Sequence, residues 1–162
     1  MSSPDSLAAY PERVPASTEH PGPVYVRLKD HYAVHATTKS SHPGAQTVLA
    51  DGAIGVYDAG TPPPTTSSAV VTPVYATPAG GAPAVPTGGV FVRFDDGIVA
   101  EARRGELAAA GYEIERVPSY APNAAWVRAG DIAASLIGIP RLAAIPGVRS
   151  VEPEMLRKAA RK

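Results

Sequence analysis

The chain contains no cysteine, so it has no disulfide framework, no cysteine-ligated zinc site and no thiol nucleophile. It also lacks a run of about 18 apolar residues, the length a transmembrane helix needs. Neither sign of charge prevails, because 15 basic and 15 acidic side chains give a formal net charge of zero. Binding to nucleic acid depends largely on neutralising phosphates. We therefore expect neither a membrane span nor a nucleic-acid partner.

The first five residues, MSSPD, lack the basic start and the apolar segment of a secretory signal. This absence predicts a cytoplasmic protein. Arginine outnumbers lysine by 11 to 4, a bias typical of GC-rich bacterial genomes.

Proline and glycine are abundant instead, with 18 and 15 residues. Together they make up a fifth of the chain, against a usual share of roughly 12%, and they are unevenly distributed. Their distribution predicts five segments: a disordered arm at 1–23, a small β-rich segment at 24–57, a Pro/Gly/Thr-rich linker at 58–87, a compact domain at 88–156 and a basic tail at 157–162.

The predicted β-rich segment reads as two hairpins. Residues 24–35 are β-branched and aromatic on both sides of a turn at Lys29-Asp30-His31. Residues 47–57 contain Asp51-Gly52, which suits a type I′ turn. In the linker, the one apolar stretch carries Pro73 and is therefore at best an edge strand.

Residues 88–156 alternate between strand and helix patterns. Gly111 is expected to end the first helix, Asp131 to cap the second, and Pro140 to kink or split the second. The predicted class is α+β, with a ferredoxin-like βαββαβ fold in which two helices cover one face of an antiparallel sheet. The predicted elements are strand Val90–Phe94, helix Ile98–Ala110, strands Tyr112–Val117 and Asn123–Arg128, helix Ile132–Ala144 and strand Val148–Val151.

Side-chain alternation then predicts which residues lie on the uncovered face of this sheet. A face with aromatic rings and mixed charges is typical of a partner-binding surface. Trp126 has the alternative interpretation of a core residue, and Glu152 and Glu154 that of solvated surface charges. The predicted partner-binding residues are Phe91, Arg93, Glu113, Glu115, Trp126, Arg128, Glu152 and Glu154.

Four stretches of the domain resemble the subtilisin-propeptide-like family of subtilase pro-domains and peptidase inhibitors. They occur in the family's order at residues 89–94, 107–112, 122–127 and 145–154, and the last, IPGVRSVEPE, is the most specific. Pro140 departs from the family pattern, because it interrupts what is usually one continuous helix. Residues 1–87 match nothing in the family.

The resemblance implies a mode of action. Family members lay the open sheet face against two surface helices of a subtilase and run the C-terminal tail through its active-site cleft. Glu152 and Glu154 would then meet helix N-termini of the protease, where partial positive charge favours carboxylates. The residues expected in the cleft are Met155, Leu156, Arg157 and Lys158.

The chain therefore resembles a stand-alone propeptide-like protein that acts in trans on a separately encoded subtilase, by inhibiting it or assisting its folding. The alternatives are a pro-region fragment of a longer subtilase precursor, an RNA-recognition-like module and a small-molecule-binding module. Against RNA binding, the strand at 123–128 has one aromatic ring where two stacking rings are expected. No enzymatic activity, metal or cofactor is expected, because the four histidines have no converging ligands and no nucleotide-binding motif occurs.

Overall fold

The structure, a computed structural model, describes residues 9–19, 24–35, 47–49, 54–58, 70–77 and 83–157 of the 162-residue chain. The strands are β1 (Arg13–Pro15), β2 (Val24–His35), β3 (Thr47–Leu49), β4 (Ile54–Asp58), β5 (Val70–Ala76), β6 (Ala84–Phe94), β7 (Glu113–Arg116), β8 (Ala124–Arg128) and β9 (Val148–Arg157). The helical elements are a turn of 3-10 helix (Ala100–Arg103), α1 (Arg104–Ala109), α2 (Ile132–Ile137) and α3 (Ile139–Ala143). None of the helices in these ranges is long and apolar enough to cross a membrane.

Antiparallel sheet dominates the described residues, of which 52% are strand and 19% helix. The predicted ferredoxin-like βαββαβ fold, with two helices on one face of the sheet, is therefore wrong. Two features explain the error. Strand β5 and the beginning of β6 lie in the segment whose proline and glycine content predicted a linker. The α-helices are short, with five or six residues each, so sheet outweighs helix.

Strand β5 lies inside a sheet despite its proline. It pairs with β2 on one side and, through Tyr75 and Ala84, with β6 on the other. The register between β2 and β5 shifts between Leu28 and Tyr32, and Pro73 lies opposite Tyr32 at that shift. The N–H that proline lacks is therefore missing where the ladder is already irregular. The prediction that this stretch is at best an edge strand is wrong for this reason.

The N-terminal region also departs from its predicted boundaries. Strand β1 lies within the predicted arm, and β2 runs unbroken through the predicted turn at Lys29-Asp30-His31. Strands β3 and β4 pair in antiparallel fashion, as the hairpin prediction requires. The Asp51-Gly52 turn itself, residues 59–69 and 78–82 of the predicted linker, and Lys158 lie outside the described residues.

The chain divides into two compact units. Unit 1 comprises residues 1–12, 25–86 and 155–162. Its strands follow the order β3-β4-β2-β5-β6. Leu28 and Leu156 are partly buried against the core cluster of this unit. The cluster consists of Ala33, Leu49, Ile54, Val56, Val74 and Val85.

Unit 2 comprises residues 13–24 and 87–154. In it, β8 pairs with β6 and with β7 in antiparallel register, and β9 also pairs with β6. Asp131 accepts a 2.7 Å hydrogen bond from the Ala134 amide at the start of α2, as predicted. The second predicted helix is split at Gly138, and Pro140 occupies the first turn of α3, where its missing N–H costs least. Gly111, at φ +96°, follows the end of α1.

The core of unit 2 lies on one side of its sheet. Tyr112 is anchored there, because its hydroxyl donates a 2.5 Å hydrogen bond to the carbonyl oxygen of Ser135, and burial raises the pKa of Tyr112 to about 12. The largest apolar residues of this core are almost fully buried: Val90, Val92, Phe94, Leu107, Ile139, Leu142 and Val151.

Acidification is expected to destabilise the protein through His35, whose Nε2 lies 2.9 Å from Oγ1 of the fully buried Thr72. Burial lowers the pKa of His35 to about 4, so the unfolded chain takes up this proton at higher pH than the folded protein. The free energy of unfolding should fall by up to about 3 kcal/mol between pH of about 6.5 and about 4, and His35 should contribute no pH dependence above that window. Urea denaturation across this range, compared with His35→Gln, measures the effect. Equal pH dependence in both proteins would contradict it.

Candidate functional site

The register between β6 and β8 decides which residues of unit 2 share a face. Phe91 lies opposite Trp126, Gly89 opposite Arg128 and Arg93 opposite Ala124. Residues directly opposite each other in an antiparallel pair point to the same side of the sheet. The face that carries Phe91 and Trp126, here called the open face, is therefore the side away from the buried core residues of β6.

An aromatic pair lies at the centre of the open face. The rings of Phe91 and Trp126 are 4.9 Å apart, measured between centroids, and are tilted by 54°. The guanidinium of Arg93 lies 5.8 Å from the centroid of Phe91, and that of Arg116 lies 5.8 Å from the centroid of Trp126. Both rings are only partly buried. Trp126 is therefore not a residue of the closed core, which was the alternative interpretation of it.

Arg116 is the residue of this face that sequence reasoning missed. Regular alternation along β7 groups Glu113 with Glu115, but the pairing of β7 with β8 shifts between Ile114 and Arg116. Arg116 consequently lies opposite Trp126. No sequence signal marks this irregularity, because β7 contains neither glycine nor proline.

Arg128 connects three parts of the site. Its Nε donates a 3.1 Å hydrogen bond to Oε1 of Glu115, and its Nη1 donates a 2.7 Å bond to the carbonyl oxygen of Thr87. The second bond needs Gly88, whose φ is +93° and whose position leaves no room for a Cβ beside the Arg128 guanidinium. Glu113 pairs with Arg128 in the β7–β8 register, so it belongs to the same face.

Strand β9 adds two carboxylates to the open face. Oε1 of Glu154 accepts a 2.5 Å hydrogen bond from the Thr87 hydroxyl, and it lies next to Gly89. Glu152 is two residues away on the same strand and therefore points to the same side. The structure thus brings together seven of the eight residues predicted as a partner-binding set, together with Arg116, and strand alternation assigns the eighth, Glu152, to the same face.

A cavity of about 310 Å³ opens on this face. It lies between the Glu154 carboxylate and the Trp126 ring, and its lining combines one aromatic ring with charges of both signs. The lining residues are Gly89, Glu115, Arg116, Trp126 and Glu154.

The predicted cleft residues have a different environment. Met155, Leu156 and Arg157 are the last residues of β9 and belong to unit 1, so the described part of the tail is a strand and not a free end. Leu156 packs against the core cluster of that unit.

No group of three or more metal-ligating side chains occurs within the described ranges. The open face offers aromatic surface, three guanidinium groups and four carboxylates, a combination that suits the binding of another molecule.

Trp126→Ala is expected to lower the free energy of unfolding by about 1–2 kcal/mol, because a half-buried ring leaves no closed cavity when it is removed. Leu107→Ala, at a fully buried position of α1, is the matched comparison and should cost about 2–5 kcal/mol. Chemical denaturation of the two variants measures both values. An equal or larger loss for Trp126→Ala would place this ring in the core.

Comparison of this chain with protein-family models, with curated proteins and with solved structures finds no match.

Proposed function

We propose that unit 2 binds a separately encoded subtilase-type serine protease through its open face and inhibits it. The observation that carries this proposal is the Phe91–Trp126 pair with an arginine against each ring. Tryptophan and arginine are the residue types most enriched among the energetic anchors of protein interfaces. We expect the protein to bind this protease in the cytoplasm.

The aromatic pair is available to a partner. Arg93 and Arg116 hold their guanidinium groups over the rings, and neither forms an ion pair with a carboxylate of the described residues. An arginine that lies on an aromatic ring loses little side-chain freedom when a partner carboxylate binds it. The centre of the face is thus preorganised for a protein surface with apolar and acidic groups.

The periphery of the face carries the complementary charge. Glu113, Glu152 and Glu154 flank the aromatic pair on the outer strands β7 and β9. Carboxylates at these positions favour positively polarised groups on the partner, such as the N-termini of helices. This arrangement of a partly apolar centre and a charged rim is the usual anatomy of a protein interface.

The charges of the open face also weigh against a nucleic acid as the partner. Its four glutamates outnumber its three arginines, and a phosphate backbone would meet carboxylates on both outer strands. The two rings contact each other, which reduces the surface on which a base could stack.

The class of partner comes from the sequence. The four stretches that resemble subtilisin propeptides all lie in residues 89–154, within unit 2. Two of them contain Phe91 and Trp126, and a third contains Glu152 and Glu154. Because the described sheet does not have the predicted ferredoxin-like fold, the resemblance supports only the class of protease and the use of this face.

The full-length protein is expected to inhibit at least one member of a panel of subtilisin-type proteases, measured by hydrolysis of a chromogenic peptide. Trp126→Ala and Phe91→Ala should each raise the inhibition constant by about tenfold or more, since each removes an anchor. Reversing charge in Arg93→Glu plus Arg116→Glu should weaken inhibition further.

Tyr120→Ala is the matched control, because Tyr120 is an aromatic residue on the turn between β7 and β8 with 83% of its surface exposed. It should leave the inhibition constant unchanged. A trypsin-type protease serves as the control enzyme. Absence of both binding and inhibition across the subtilase panel would refute the proposal, and undiminished inhibition by the Trp126→Ala variant would refute the role of the open face.

A further inference from the structure

The C-terminal end of β9 is held in place by three kinds of contact within unit 1. The first is the strand itself, which extends to Arg157, six residues beyond the strand Val148–Val151 that the sequence predicts. A β-strand directs its backbone hydrogen bonds to its neighbours in the sheet. The same backbone groups are not available to a second partner while that pairing lasts.

The second contact is apolar. Leu156 is partly buried against the cluster that includes Val74 and Val85. Both of these valines are completely buried, so Leu156 packs against a closed core. Detachment of Leu156 would expose its own apolar surface and part of the cluster to water, which is unfavourable.

The third contact involves Arg157 and Tyr25. Nη2 of Arg157 donates a 3.2 Å hydrogen bond to the Tyr25 hydroxyl, and the guanidinium carbon lies 5.7 Å from the centroid of the same ring. Tyr25 is only 7% exposed, which fixes the ring that receives the guanidinium. The last described residue of the chain is therefore tied to a buried side chain.

A protease cleft accepts its substrate as an extended segment whose backbone pairs with the enzyme. The backbone groups that Met155–Arg157 direct to the sheet cannot pair with a cleft at the same time. We propose that these three residues form a latch, in which the Tyr25–Arg157 and Leu156 contacts keep the C-terminal segment out of the protease until it detaches from unit 1. This inference builds on the proposed inhibition of a subtilase.

The latch has a quantitative consequence. If the segment binds only when detached, the apparent inhibition constant equals the intrinsic constant divided by the detached fraction. A substitution that weakens the latch without altering the tail should therefore strengthen inhibition by the same factor by which it raises the detached fraction. Tyr25 is suited to this test, because it belongs to the anchor and not to the tail.

Amide hydrogen exchange of residues 155–157, measured by NMR on the full-length protein alone, reports the detached fraction. Tyr25→Phe removes only the hydroxyl and should accelerate exchange about threefold, and Tyr25→Ala about tenfold. Arg157→Gln removes the other half of the contact and leaves the buried ring intact, so it is informative even if Tyr25→Ala unfolds unit 1. Tyr120→Ala is the aromatic control and should leave this exchange unchanged.

The same Tyr25 variants are then tested as inhibitors of the subtilase found in the panel. Faster exchange with proportionally tighter inhibition supports the latch. Unchanged exchange in Tyr25→Phe and Arg157→Gln would overturn the anchor. Faster exchange with unaltered inhibition would show that the segment is anchored but does not act in the cleft, which overturns the latch and leaves docking through the open face intact. If no variant inhibits any subtilase, both the proposed function and the role of the latch are refuted. The exchange data then still decide whether the contacts hold the strand end.

Discussion

The antiparallel register that places Phe91 opposite Trp126 determines the centre of the open face. A slip of β6 by one residue against β8 would turn Phe91 and Arg93 toward the core and expose Val90 and Val92. The burial of these valines, both completely inaccessible, opposes such a slip. The open face is therefore fixed indirectly by the apolar residues on the other side of the same strands.

Part of this arrangement is readable from the sequence because strand alternation is a local property. The alternation of Val90, Phe91, Val92 and Arg93 predicts their two faces without knowledge of the partner strand. The grouping of Arg116 with Trp126 is not local. It depends on a shift in pairing between β7 and β8, and such shifts are set by packing and twist across strands. Reasoning from alternation alone could assign the strands but not this register.

The largest error concerns the proline-rich segment, and it has a related cause. Composition describes an average over 30 residues, whereas a strand needs only about five to seven with suitable side chains. Val70–Ala76 provides such a stretch, and Pro73 is tolerated because its partner strand is irregular at the same point. Whether a proline excludes a strand thus depends on the neighbouring strand, which a single segment of sequence does not reveal. The helices show the reverse case: Asp131, Gly111 and Pro140 act through the backbone within a turn of their own position, and all three act as predicted.

The two proposals place opposing demands on the C-terminal segment. An inhibitor that enters a protease cleft needs an extended end, but an extended end is also the part of a folded chain most exposed to proteolysis. Pairing Met155–Arg157 in β9 protects these residues, since a protease must wait for local opening before it can bind the backbone. The same pairing lowers the apparent affinity of the segment for the protease, which equals the intrinsic affinity multiplied by the detached fraction. Under the proposed function, docking through the open face would offset this loss, because an enzyme bound there would meet the detached segment at a high effective concentration. The Tyr25–Arg157 contact consists of one hydrogen bond and one ring contact at the end of a strand. Because so few interactions have to break, the segment can detach without unfolding the core against which Leu156 packs.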